Sequence, residues 1–274
     1  MKREEFGIAL SGSEFKGRLD VRFSQEDFIS ILSCPKKLWK HPSMKILLDA
    51  RNRVGAVDVK LNGHVSRVVV KSFRIKGINR LKSIVFPSKA QKAWFGSHIL
   101  RKNSISTPYP IAFFEKRKGC VVRESYFLSE WVEGTLEVRA LFKSLKGKDI
   151  EKLLKDLAGF LSFIRIKGLL HRDLSDGNVL VRGSREQGFQ FFLIDTNRVR
   201  RIKTFSVLRG LKSIIRLGIP FVYQRFFLKL YLSPMPLNYG HWCWYRVNKV
   251  LFSTYILLKK KLRIKKIADR LKIQ

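Results

Sequence analysis

The segment His171-Arg-Asp-Leu-Ser-Asp-Gly-Asn178 carries a carboxylate, Asp173, and a carboxamide, Asn178, ahead of an apolar run, Val179-Leu-Val181. A second apolar run, Phe189-Gln-Phe-Phe-Leu-Ile194, ends on Asp195. A tight turn would put Asp173 and Asn178 on one side of the chain, and a strand ending on Asp195 would add a second carboxylate. Phosphoryl transfer to a hydroxyl needs such a set: a carboxylate to accept the hydroxyl proton, and oxygen ligands for the magnesium that accompanies ATP. On that chemistry Asp173 is the catalytic base. Asn178 and Asp195 hold magnesium, and through it the nucleotide phosphates.

The loop fits the kinase catalytic pattern H-R-D-L-x-x-x-N at every specified position. In such loops the histidine more often braces the backbone than reacts, and His171 is assigned that role. Asp195 stands where kinases carry the metal-binding Asp of Asp-Phe-Gly, but here Thr196 and Asn197 follow it. The pivot that protein kinases use for switching is therefore absent, while the carboxylate is kept. Upstream, Val68-Val-Val-Lys71 reads as the strand ending in a phosphate-contacting lysine, Lys71. Glu130-Trp-Val-Glu133 reads as a hinge, in which the backbone of Glu130 and Val132 would meet adenine. Two usual parts are missing. Asp49-Ala-Arg-Asn-Arg-Val-Gly55 lacks a G-x-G-x-x-G loop, leaving Arg51, Asn52 and Arg53 to cover the phosphates. No acidic residue lies between Phe86 and Phe114, so the usual Lys–Glu pair cannot come from the helix there.

The elements needed to position these residues are legible. Val57 to Leu61 and Val65 to Val70 alternate about an Asn62-Gly63 turn, predicting an antiparallel hairpin. Ser88 to Lys102 has helical spacing after Pro87. Strands are expected at Pro110–Phe114 and Tyr126–Val132, and Asp149–Lys167, with Leu153, Leu154, Leu157, Phe160, Leu161 and Ile164 on one helical face, reads as a buried helix that delivers the chain to His171. Ser24 to Asp27 reads as a helix start ahead of Phe28 to Leu32. The text turns from strand-rich to helix-rich at Glu133-Gly134. The predicted fold class is α+β, a protein-kinase-like bilobal fold with a small antiparallel N-lobe sheet and a mainly helical C-lobe. The expected division is an extension over 1–45, an N-lobe over 46–133 and a C-lobe over 134–274.

Composition narrows the partners. In 274 residues, 56 Lys and Arg face 21 Asp and Glu, a formal charge of +35, which calls for an acidic partner. Cys34, Cys120 and Cys243 are scattered without a Cys-x-x-Cys pair, so neither a zinc site nor a disulfide framework is expected. Neither a signal-peptide core nor a membrane-spanning run is present, and a cytoplasmic protein is expected. Val250 to Leu258 is apolar and runs into Lys259-Lys-Lys-Leu-Arg-Ile-Lys-Lys266. That pairing suits either an anionic membrane surface or a core helix with a solvated basic end. Trp242, Trp244 and Tyr245 are expected to pack. The aromatics mostly occupy apolar runs that read as buried, which argues against nucleic acid.

Beyond the catalytic loop, Ser88-Lys-Ala-Gln-Lys-Ala-Trp94, Ile105-Ser-Thr-Pro-Tyr-Pro110, Leu193-Ile-Asp-Thr-Asn-Arg198 and Gln224-Arg-Phe-Phe-Leu-Lys-Leu-Tyr231 resemble bacterial lipopolysaccharide core kinases, which phosphorylate Kdo or heptose sugars. The resemblance runs from about Ile46 to Tyr231. It implies the same roles for Asp173, Asn178, Asp195 and Lys71, with ATP and magnesium as cofactors. It also implies an acceptor: a sugar hydroxyl on an acidic, lipid-linked glycan at the cytoplasmic face of the inner membrane, where the protein would sit peripherally. The loop is also similar to that of RIO-type kinases, which act on protein. The missing helix Glu and Gly-rich loop leave room for a catalytically impaired, kinase-shaped binding module.

Overall fold

The structure is a computed structural model that describes residues 6–11, 14–23, 35–50, 52–61, 63–75 and 77–271. The expected helix over Ser24–Leu32, Cys34, Arg51 and Asn62 lie outside the described residues. Two compact units are present: Met1–Thr135 with Phe192–Val199, and Leu136–Phe191 with Arg200–Gln274.

The first unit is built on an antiparallel sheet. Its strands are β1 (Ile8–Ser11), β2 (Lys16–Leu19), β3 (Lys45–Asp49), β4 (Asn52–Leu61), β5 (His64–Phe73), β6 (Pro110–Lys118) and β7 (Val121–Glu130), in the order β1-β2-β6-β7-β5-β4-β3. The predicted hairpin is β4–β5, closed by a Leu61–His64 pair with Gly63 at φ +79°, and it is longer at both ends than its apolar alternation suggested. The strands β1 and β2 went unread. Four residues each and loosely patterned, they pair through β2 onto β6.

The period of two sorts the side chains of β4 and β5. Val57, Val59, Leu61, Val68 and Val70 enter one core with Phe15, Leu19 and Leu128. Phe73 enters the other, with Phe113 and Phe127 and against α3 (Lys89–Lys102), which contributes Ala90, Ala93 and Trp94. By that parity Lys71 shares the face of Phe73, the face that α3 covers. Helix α3 starts where the sequence placed it: the Ser88 side chain caps it by accepting from the Gln91 amide at 3.0 Å. Two shorter helices precede it, α1 (Pro35–Leu38) and α2 (Ile78–Val85).

The second unit is mainly helical. It contains α4 (Val138–Ser144), α5 (Gly147–Ile166), α6 (Val207–Ile214), α7 (Gln224–Leu232) and α8 (Tyr239–Leu271), together with β8 (Leu136–Glu137), β9 (Leu169–His171), β10 (Val179–Ser184) and β11 (Gly188–Leu193). Helix α5 buries Leu153, Leu154, Leu157, Leu161 and Ile164, the stripe read from sequence. Phe160, read as part of that stripe, lies at its edge with its ring 5.6 Å from that of Phe191. Gly168, at φ +67°, ends the helix and turns the chain into β9. The basic C-terminal text is one continuous helix, α8. Among the described residues no helix is long and apolar enough to cross a membrane.

His98 on α3 is buried, stacked on Phe6 at 4.7 Å and edge-on to Trp94 at 4.3 Å. Burial lowers its pKa from 6.5 to about 4, with Arg101 and Arg22 assisting and Asp20 opposing. Unfolding lets the ring protonate, so this contribution is present above about pH 6.5 and is lost as pH falls towards 4. Between those limits wild type is expected to lose about 2 kcal/mol more than His98→Phe. Urea unfolding across the range checks this, and equal slopes would refute it.

Candidate functional site

The first unit brings together two of the residues picked from sequence. Lys71, on β5, donates from Nζ to Asp195 Oδ1 at 2.6 Å, with the two side chains 21% and 25% exposed. Asp195 follows β11 and adopts a left-handed backbone at φ +58°. That conformation is costly for a non-glycine residue, by roughly 1–3 kcal/mol, and persists only where the surroundings enforce it. Here they do so on both sides. Two residues before, the Leu193 amide donates to Ser106 O at 3.0 Å, and Thr107 Oγ1 donates to Leu193 O at 2.7 Å. One residue after, Thr196 Oγ1 donates to Ala93 O on α3 at 2.9 Å and receives Ser97 Oγ at 2.8 Å.

These contacts give physical content to sequence features that had no assigned role. The 105–110 segment after α3 clamps the end of β11. Thr196, in place of the phenylalanine of Asp-Phe-Gly, is buried and tied to α3. Gly96 permits the approach, since a Cβ there would lie 2.1 Å from the Thr196 carbonyl oxygen. The helix lacks a glutamate for Lys71, but it holds the segment that supplies Lys71 with a carboxylate.

Glu130 and Val132 lie at the end of β7 and just beyond it. The Glu130 amide donates to Tyr109 O at 2.9 Å, and burial pushes the Glu130 carboxyl above its ordinary range. The Val132 carbonyl accepts from Thr135 Oγ1 at 2.8 Å. Of the suggested phosphate cover, Arg53 is engaged elsewhere, 3.7 Å from Asp49 and 4.6 Å from the Trp39 ring centre.

The second unit brings together Asp173 and Asn178. Asn178 Nδ2 donates to the Asp173 carbonyl at 2.8 Å, and its amide donates to Ser175 O at 2.9 Å. The carboxamide is thereby tied to the loop through its nitrogen, and its oxygen is not part of that bond. His171 is buried, and its Nδ1 accepts from the Asp173 amide at 3.3 Å, a brace on the loop. The Asp173 carboxylate, 24% exposed, is ion-paired with Arg216. The next carboxylate, Asp176, accepts from Arg139 Nη2 at 3.2 Å. Gly218 packs so closely that a Cβ would sit 2.5 Å from Asp176 Oδ2. Sequence reasoning missed Arg139, Asp176 and Arg216. Asp176 occupies an unspecified position of the loop pattern, and the arginines are two among 56 basic residues.

The oxygens of Asn178 and Asp195 are the hard donors magnesium prefers. Among the described residues no group of three or more His, Cys, Asp or Glu could hold a metal by itself.

The fold is protein-kinase-like. The structure matches one titled "WaaP in complex with acyl carrier protein" at a TM-score of 0.59 and 16% identity, covering 82% of this chain and 96% of that one. Residues 89–213 match the Lipopolysaccharide kinase (Kdo/WaaP) family, a span that holds α3, the catalytic loop and Asp195. No curated protein matches the chain. The family match and the fold together support a kinase, and the family supports one that acts on the lipopolysaccharide core.

Gly96→Ala is expected to cost about 3 kcal/mol, because a backbone carbonyl rather than a flexible side chain blocks the new methyl group. The comparison is Gly159→Ala on α5, where nothing lies within 4 Å and the change should stabilise by about 1 kcal/mol. Thermal unfolding of both variants decides, and equal effects would remove the brace assigned to Thr196.

Proposed function

We propose that the chain transfers the γ-phosphoryl group of ATP to a sugar hydroxyl of the lipopolysaccharide core, working with magnesium at the cytoplasmic face of the inner membrane. The observation that carries this reading is the Lys71–Asp195 pair, held by α3 and the 105–110 segment: a cation for phosphates and a carboxylate for metal, fixed in advance. Lys71 contacts the nucleotide phosphates, and the Val132 amide meets the base beside Glu130. Asn178 and Asp195 hold magnesium, which neutralises phosphate charge when bound. Asp173 accepts the proton of the acceptor hydroxyl as its oxygen bonds to the γ-phosphorus. The bond from that phosphorus to its bridging oxygen breaks, and ADP departs with the electron pair.

Asp173→Asn should reduce transfer to purified, phosphate-deficient core lipopolysaccharide about 10²–10⁴-fold with little change in ATP binding. Lys71→Met should weaken ATP binding itself. Labelled transfer and nucleotide titration measure the two effects. Full activity of Asp173→Asn would end its role as base, and an inert wild type that still binds ATP would require another acceptor.

The membrane reading rests on α8. Val247, Val250, Leu251, Tyr255, Leu258 and Leu262 are all exposed at intervals of three, four or seven along one face, ahead of exposed Lys259, Lys260 and Lys261. An apolar stripe beside lysines suits an anionic lipid surface. Leu251→Glu with Leu258→Glu is expected to weaken flotation with anionic vesicles about tenfold, and unchanged flotation would remove α8 from the contact.

A further inference from the structure

Arg216 follows α6 on a short segment whose backbone is tied down at several points. Its neighbours Ile215 and Leu217 are buried. Lys249, from α8, donates to both of their carbonyls, each at 2.6 Å. Gln224 Nε2 donates to Ile219 O at 3.1 Å, and Gln224 in turn is bonded by Arg246 of α8. Gly218 closes the segment against Asp176. The result is an anchored backbone and a side chain 44% exposed, its guanidinium paired with the Asp173 carboxylate through Nη1 and 5.5 Å from the Phe252 ring centre.

A base must lie within hydrogen-bond reach of the hydroxyl it deprotonates. Arg216 reaches that same carboxylate. Any anionic group close to the reacting hydroxyl on the acceptor therefore falls within reach of Arg216. The contact with Asp173 engages only part of a fork of five N–H donors, a geometry that suits a second oxyanion. Anchoring the segment beforehand lowers the entropy lost when the acceptor binds. A plain surface ion pair would not need the double clamp from Lys249 on the backbone that carries it.

We propose that Arg216 is an acceptor-binding residue that receives a carboxylate or phosphate next to the hydroxyl to be phosphorylated, and so selects acidic sugars. This rests on the reading of Asp173 as the base. Lys249 is a positioning residue, acting only through the backbone that carries Arg216.

The test uses the full-length protein and de-acylated core oligosaccharide from cells lacking this kinase, so that the acceptor hydroxyl is free, in three forms: intact, stripped of its remaining phosphate, and methyl-esterified at its carboxylates. Binding is measured by calorimetry at fixed physiological salt for wild type, Arg216→Gln and Arg185→Gln. Arg185 is an exposed arginine paired with Asp149 at 3.2 Å, and it controls for the loss of one charge. Wild type should bind one neutralised form about tenfold more weakly than the intact one, the size of one charge-assisted contact, and which form suffers identifies the anion. Arg216→Gln should bind all three forms within about twofold of one another, whereas Arg185→Gln should discriminate as wild type does. Equal binding of the three forms by wild type, preserved discrimination in Arg216→Gln, loss of it in Arg185→Gln, or no binding at all would each overturn the proposal. Phosphoryl transfer to the intact form is followed separately. Transfer without discrimination would refute Arg216 and leave the kinase reading standing; discrimination without transfer would do the reverse.

Discussion

The position of Asp195 is the constraint on which the rest of the first unit depends. A carboxylate in a left-handed backbone conformation is unfavourable by itself, and only tethers on both flanks keep it there. Four hydrogen bonds, two on Leu193 and two on Thr196, supply them. Each contributes about 1 kcal/mol net, enough together to offset the strain. Lys71 completes the arrangement from β5, whose alternation turns it to the face that α3 covers. The two charges rest on each other, and phosphates and a metal would each claim one of them. A site organised this way spends little on rearrangement when its ligand arrives.

The departures from the protein-kinase pattern acquire a physical meaning in this light. The helix following the lysine strand normally presents a glutamate. Here it presents a bare backbone at Gly96, a hydroxyl at Ser97 and a carbonyl at Ala93, and all three act on Thr196. The same helix is still coupled to the segment that carries Asp195, by hydrogen bonds and close packing rather than by an ion pair. A threonine bonded twice to α3 is also a poor pivot. The sequence reading inferred the lack of a switch from the absent Phe-Gly, and any such movement would have to break the two hydrogen bonds of Thr196 to Ala93 and Ser97.

What could be read from the sequence was whatever is local or periodic. The hairpin of β4 and β5, the cap at Ser88, the buried stripe of α5 and the loop from His171 to Asn178 each declare themselves within a few residues of text. The strands β1 and β2 did not, because four residues give too little alternation to separate a strand from a loop, and the pairing of β2 with β6, which ties both to the sheet, joins residues as far apart as Lys16 and Glu115. Helix α2 has no side-chain cap at its start and was passed over. The partners of the chemical residues were hidden for another reason. Nothing within Arg216 or Lys249 marks them among 56 basic residues, since their meaning lies in contacts with Asp173 and with backbone carbonyls made only once the chain has folded. In the 130–133 segment, which backbone groups are engaged follows from Tyr109 and Thr135, and no pattern announces them.

Helix α8 links two tasks that appear separate. Its first half faces inward: Tyr245 is fully buried, Arg246 bonds Gln224, and Lys249 holds the carbonyls on either side of Arg216. Burial lowers the Lys249 pKa to about 8, yet the side chain keeps two short bonds to carbonyls, which favour its charged form. From Val247 onward the opposite side of the helix is an exposed apolar stripe running into lysines. A stiff helix cannot be anchored along one face without fixing what the other face holds. If the outer face of α8 rests on the lipid that bears the acceptor, the inner face sets where Arg216 stands relative to that lipid. The distance from membrane to sugar would then be read by the backbone of a single helix, and an acceptor hydroxyl at the wrong height would not reach Asp173.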